Sequence, residues 1–141
     1  MIRIAMLGPG DESVLASVAL GVFDHAVDPG LAAEFLSDPR HHIVVAMDGT
    51  QVVGFASGVH YIHPDKAPEF WINEVGVAAS HRKQSVGKKL LHALFEAARE
   101  LGCTEAWVLT ERTNAPAIRL YASSGGVEPS GEAVMFLFKL A

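Results

Sequence analysis

The 141-residue chain has a single cysteine, Cys103, so it can form no internal disulfide and offers no cysteine pair for zinc. Long hydrophobic runs are also missing. The most apolar stretch, Val14 to Phe23, is broken by Ser17 and Gly21. It falls far short of the roughly 20 residues that cross a bilayer. The opening Met-Ile-Arg-Ile-Ala-Met-Leu meets Gly8-Pro9-Gly10 too early to serve as a signal peptide. Positive charge is scarce, with 11 Lys and Arg against 16 Asp and Glu for a net charge of −5. A nucleic-acid binder normally shows the opposite balance. There is no internal repeat and no low-complexity linker. These absences predict one cytoplasmic domain over residues 1–141, with neither nucleic acid nor a membrane as partner.

Half of the residues are hydrophobic. A chain of this size buries about 70% of its unfolded surface, enough for a core without staples. Ile2 to Leu7 reads as an edge strand. Asp11 then stands as an N-cap before Val14, Leu15, Val18, Ala19 and Val22 at helical spacing. Pro29 suits a first helical turn, and a short helix is predicted over Leu31 to Ser37, before Asp38-Pro39. His42 to Met47, Asp48-Gly49 and Gln51 to Tyr61 form a hairpin signal. Gly54 and Gly58 inside its second strand are of the kind that marks bulges or close backbone approach.

Phe70 to Val77 reads as a fourth strand. Val86, Leu90, Leu91, Leu94, Ala98 and Leu101 make the apolar stripe of a strong helix, closed by Gly102. Thr104 to Thr110 is a fifth strand, and Asn114 caps a helix ending at Gly125. Ala133 to Leu140 alternates Val134, Phe136, Phe138 and Leu140 like a half-buried last strand. The order β-α-α-β-β-β-α-β-α-β predicts an α/β (α+β) fold around a mixed sheet.

His81-Arg82-Lys83-Gln84-Ser85-Val86-Gly87 lies between a strand and that strong helix. Unpaired N–H groups and the helix dipole favour an anion there. Arg82, Lys83, Lys88 and Lys89 reverse the overall sign of charge locally. A solvated basic turn is the plainer alternative. The seven histidines show no helical i, i+4 pair with a third ligand nearby, so no metal is expected.

The run Val75 to Leu91 resembles the acyl-coenzyme A motif of the GNAT N-acetyltransferases, Gln/Arg-x-x-Gly-x-Gly/Ala after a hydrophobic strand. Arg82 and Gly87 match its ends, while Ser85 replaces its middle glycine. Asn114-x-x-Ala117-x-x-Leu120-Tyr121 and Gly125 resemble the family's second conserved helix. The resemblance implies the acyl-CoA N-acyltransferase fold, acetyl-CoA as cosubstrate and no metal. It places acetyl-CoA on Arg82, Lys83, Gln84, Ser85, Val86, Gly87, Lys88, Asn114 and Ala117, with the backbones of Val75 and Val77 along the pantetheine arm. It also implies direct attack by an amine, with Glu74 as base and the Tyr121 hydroxyl beside the departing sulfur. Strand alternation puts Glu74 on one face with Ile72 and Gly76, and apolar neighbours there would raise a carboxylate's pKa.

The segment after the first strand walls the acceptor site in this family. Here it holds Asp24, His25, Asp28, Glu34 and Asp38, with Glu69 and Glu74 on the fourth strand, a set suited to a polycationic amine. Val22-Phe23-Asp24, Ile72-Asn73-Glu74-Val75-Gly76-Val77 and His81-Arg82-Lys83-Gln84 are similar to the small aminoglycoside 3-N-acetyltransferases. That resemblance implies acetylation of an aminoglycoside at its 3-amino group, and hence antibiotic resistance. A polyamine, another small amine or a protein amine is the alternative acceptor. A non-catalytic acyl-CoA or aminoglycoside-binding module is a third reading, motivated by Ser85. A homodimer is common in the family. The net charge thus divides into a basic loop for an anionic cosubstrate and an acidic wall for a cationic acceptor.

Overall fold

The computed structural model describes residues 1–129, 131 and 133–141. Among the described residues five strands form one sheet in the order β1-β2-β3-β4-β5: Ile2–Leu7, His41–Asp48, Gln51–Tyr61, Glu69–Val77 and Ala106–Val108. The first four pair antiparallel and β5 runs parallel to β4, so the sheet is mixed as expected. Among the same residues three helices accompany it: α1 Pro29–Ser37, α2 Val86–Glu100 and α3 Ala115–Ser123. The β2–β3 turn uses Gly49 at φ 62°, a left-handed position that glycine enters without strain. Val44, Val45, Val52 and Val53 at the sheet centre are fully buried, as are Leu90, Leu91 and Leu94 of the α2 stripe. Gly102, at φ 84°, ends α2, with Cys103 N–H bonding back to the Ala98 carbonyl.

Two predicted elements are absent. The helix expected from Asp11 to Val22 is a short 3-10 turn, Glu12–Ala16, followed by extended chain. Asp11 accepts a hydrogen bond from Gly8 N–H at 2.8 Å, closing the preceding turn, and makes no side-chain cap. Downstream, Ala19 N–H donates to the Val52 carbonyl and Val52 N–H to the Ser17 carbonyl, at 2.8 Å each. Docking on the edge of β3 outweighs an amphipathic pattern only a few turns long. The last strand is missing as well. Residues 133–140 form no ladder with any other described residue, because alternation specifies a strand's faces but not the neighbour that supplies its hydrogen bonds. The fifth strand shrinks to Ala106–Val108.

Candidate active site

The site is organised by an irregularity in β4. Ser57 lies opposite Glu74 while the next residue, Gly58, lies opposite Ile72, so Asn73 is an extra residue in the strand. Adjacent residues of β3 face opposite ways, so Ile72 and Glu74 do too. This corrects the expectation from simple alternation that they share a face. Glu74 instead shares its face with Gly76, Phe55 and Ser57, and with Trp71 from before the bulge.

That face carries the segment after the 3-10 turn. A Cβ on Gly76 would come within 2.2 Å of the Val22 carbonyl oxygen, and Phe23 stacks on Phe55 with ring centroids 4.0 Å apart. Val22-Phe23 therefore lies across the Glu74 side of the sheet and delivers Asp24 and His25, both exposed, from its end. Glu74 is itself exposed, so the apolar enclosure expected around it is absent.

The acidic wall is less uniform than its sequence suggests. Asp28 caps α1, accepting from Leu31 N–H at 2.9 Å. Asp38 accepts from Arg40 N–H at 2.9 Å, and with Glu34 it lines a recess of about 460 Å³ that does not include Glu74. Glu69 bonds His63 at 2.8 Å. Trp71 and Trp107, aligned across β4 and β5, stack at 4.9 Å, and Trp107 donates to the Tyr61 hydroxyl at 2.7 Å. This aromatic platform on the Glu74 face was not anticipated. Its one sequence signal is that the chain's only two tryptophans both fall on predicted strands.

β4 and β5 pair only from Phe70 to Ile72, so beyond the bulge the β5 side of β4 has no strand partner among the described residues. Val75 and Val77 lie on this stretch, though the Val77 carbonyl already accepts from Arg82 Nε at 3.2 Å. The strand leads into the loop before α2, where Lys83 and Ser85 both have φ of 62°. The left-handed Ser85 followed by Val86, the first residue of α2, turns successive N–H groups toward a common point, an anion-binding nest. Ser85 is the N-cap of α2 yet makes no side-chain capping bond. Arg82, Lys83, Gln84 and Ser85 are exposed around it, with Lys88 half-buried on the first turn. Gln84 reaches back to the Ser80 carbonyl at 3.5 Å. His81 bridges Ser80 (2.7 Å) and Asp48 (2.8 Å), tying the loop to the β2–β3 turn.

The second motif meets the first at Gly87. A Cβ there would stand 3.1 Å from Leu120, so this glycine lets α3 approach the start of α2. Asn114 caps α3 by accepting from Ala117 N–H at 3.2 Å. Tyr121 on the same helix is half-buried, and burial pushes its phenol pKa up. A basic nest at a helix N-terminus, an open strand edge and a nearby phenol fit an elongated anionic thioester such as acetyl-CoA. Among the described residues no three His, Cys, Asp or Glu side chains gather as a metal site. No helix among them is long and apolar enough to cross a membrane.

Comparison with known proteins agrees with this geometry. The model of the acetyltransferase (GNAT) family matches residues 15–125. Streptothricin acetyltransferase of Streptomyces lavendulae is 33% identical over 89 residues, which are 63% of this chain and 45% of that protein. The chain thus spans less than half the length of that relative. An aminoglycoside acetyltransferase from an uncultured soil metagenomic sample, solved with sisomicin, superposes with a TM-score of 0.80 at 20% identity, covering 99% of this chain and 97% of the other. AAC(6')-Iy, solved with a bisubstrate analogue, CoA-S-monomethyl-acetylneamine, gives 0.81 at 20% identity and covers 100% and 99%. Because the family model spans most of the chain and the fold agrees, this protein belongs to the GNAT acetyltransferase family.

Proposed function

We propose that residues 1–141 act as one acetyl-CoA-dependent N-acetyltransferase domain whose acceptor is a primary amine of an aminoglycoside. The observation that carries this is the bulge at Asn73. It turns Glu74 toward the acceptor segment while the neighbouring backbone of β4 lies open toward the basic loop. The Ser85 nest and Arg82, Lys83 and Lys88 hold the pyrophosphate, and Gln84, Val86, Gly87, Asn114 and Ala117 shape its surroundings. The main chain of Val75 and Val77 runs along the pantetheine arm like an added strand.

Glu74 takes a proton from the ammonium and so frees the nitrogen lone pair that forms the C–N bond. A β4 N–H group polarises the thioester carbonyl as the C–S bond breaks. The Tyr121 hydroxyl donates a hydrogen bond to the departing thiolate. A phenol is already a weaker acid than a thiol and burial weakens this one further, so it donates without surrendering its proton.

For the acceptor, exposed Asp24, His25 and Glu74 meet ammonium groups, and the Trp71–Trp107 platform offers a flat face to a sugar ring. The likenesses to streptothricin and aminoglycoside acetyltransferases favour antibiotic amines over polyamines or protein amines. The 3-amino group is the proposed position, from the resemblance to the 3-N-acetyltransferases.

The test is thiol release from acetyl-CoA with an aminoglycoside panel, spermidine and a lysine peptide. Turnover of aminoglycosides is expected, with kcat about 10²-fold lower for Glu74→Gln at an unchanged melting temperature. Turnover of spermidine or the peptide alone would transfer the reading to those amines. Tight aminoglycoside binding without turnover would leave a binding module. The product's NMR spectrum places the acetyl group, and a 6'-acetyl product would displace the 3-amino assignment.

A further inference from the structure

Glu69 and Glu74 are five residues apart on β4, a spacing that faces opposite ways in a regular strand. The extra residue at Asn73 removes that opposition. Glu69 lies opposite Tyr61 and Glu74 opposite Ser57, and Tyr61 and Ser57 are four residues apart on β3. Both carboxylates therefore project from one face of the sheet. Four steps of about 3.3 Å set their backbones about 13 Å apart.

Midway between them Trp71 lies opposite Val59 on the same face and stacks on Trp107. The result is a lane with a flat aromatic middle and a polar group at each end. At the Glu74 end, Ser57 is only 5% exposed. Its hydroxyl has no hydrogen-bond partner among the described residues and is still open to solvent. At the far end, His63 Nε2 bonds Glu69 Oε2 at 2.8 Å, and both side chains are mostly buried. Tyr61 secures that end, touching the His63 ring edge-on at 5.1 Å and accepting from Trp107. His63 thus fixes the carboxylate by one oxygen, and Glu69 Oε1 has no partner among the described residues.

We propose that Glu69 is the second anchor of the acceptor and sets its minimum length. One ring places its reacting amine at Glu74, a ring face lies on Trp71, and an ammonium group of a second ring donates to Glu69 Oε1. The Ser57 hydroxyl meets a polar substituent beside the reacting amine. This rests on the acetyl-transfer reading above and narrows it to acceptors of at least two linked rings with an amine at each end. A single-ring diamine is too short to reach both carboxylates. A linear polyamine has the length but no ring face for Trp71.

The experiment compares neamine, which has two linked rings, with 2-deoxystreptamine, one of those rings alone. Tryptophan fluorescence titrations without acetyl-CoA give both affinities, and thiol release gives kcat and KM. Glu69→Gln should weaken neamine binding and raise its KM about tenfold, leaving its kcat and the affinity for 2-deoxystreptamine within about twofold. Unchanged neamine affinity in that variant overturns the proposal, and so does an equal loss for both ligands. If the variant fails to fold, wild-type protein decides, because equal affinity for the two ligands also overturns it. Neamine bound in the expected pattern but never acetylated supports the lane and removes the acetyl-transfer reading. Neamine acetylated equally well by Glu69→Gln does the reverse.

Discussion

Replacing Ser85 by glycine tests the loop before α2 directly. Ser85 sits at φ 62°, ψ 18°, where an L side chain crowds its own carbonyl at a cost of about 1–2 kcal/mol. Glycine removes that cost, and no capping hydrogen bond is lost because the hydroxyl makes none. The looser unfolded chain returns about 0.4–1 kcal/mol of the gain. The expected net is about 0.5–1 kcal/mol of added stability, or about 2–4 °C in Tm. Ser85→Ala keeps the Cβ and its strain and should gain nothing. Thermal and urea unfolding of the three proteins measure this, with CoA affinity measured by calorimetry in parallel. The left-handed turn is present in the protein by itself, so strain relief applies equally to free and bound forms. Affinity should therefore change by less than about threefold, unless the serine hydroxyl itself contacts phosphate. A tenfold affinity gain with no change in Tm would refute the reasoning, because the turn would then form only on binding.

His42 is held neutral, its pKa lowered to about 4, chiefly by burial and then by the charges of His60 and His41. The unfolded chain binds this proton near pH 6.5. Stability is therefore full above that pH, falls between about 6.5 and 4, and levels below. The loss is about 1–2 kcal/mol once solvent screening of the half-exposed ring is allowed for. Urea midpoints across this range should show the slope, and His42→Gln should flatten it. Asn114→Ala should cost about 1 kcal/mol in unfolding experiments, whereas Asn114→Asp retains the cap. Gly76→Ala drives a Cβ against the Val22 carbonyl and should cost about 2–3 kcal/mol; a wild-type Tm would contradict that close approach.

The parts of the fold legible in the sequence are those specified locally. Asp48-Gly49 set the hairpin, and β3 runs from Gln51 to Tyr61 as read. The α2 stripe is buried at Val86, Leu90, Leu91, Leu94 and Ala98. What was not legible depends on neighbours distant in sequence. Val18 and Ala19 look helical until β3 offers its edge, and 133–140 look like a strand although no other described residue pairs with them. The bulge at Asn73 left its one trace in the partner strand. A Cβ on Gly58 would lie 2.3 Å from the Phe70 ring and 2.7 Å from the Trp71 carbonyl, so that glycine marks where the ladder is disturbed. At the site, the basic loop and the Asn114 cap followed from residue type and spacing. The commitment of Asp28 to α1 and the pairing of Trp71 with Trp107 required the register of the finished sheet.

The extra residue in β4 also sets which genetic changes this region tolerates. A missense change at Asn73 alters one exposed side chain and leaves the strand as it is. Loss of that one codon would leave Ile72 opposite Gly58 and Glu74 opposite Ser57, the pairs they already make, and would close the ladder into a regular one. Every side chain from Glu74 to Val77 would keep its present face, and only the local bend and added twist of the bulge would go. The carboxylate's side of the sheet should therefore survive both substitution and deletion at this position. What distinguishes the two changes is the curvature of β4 just before the acid.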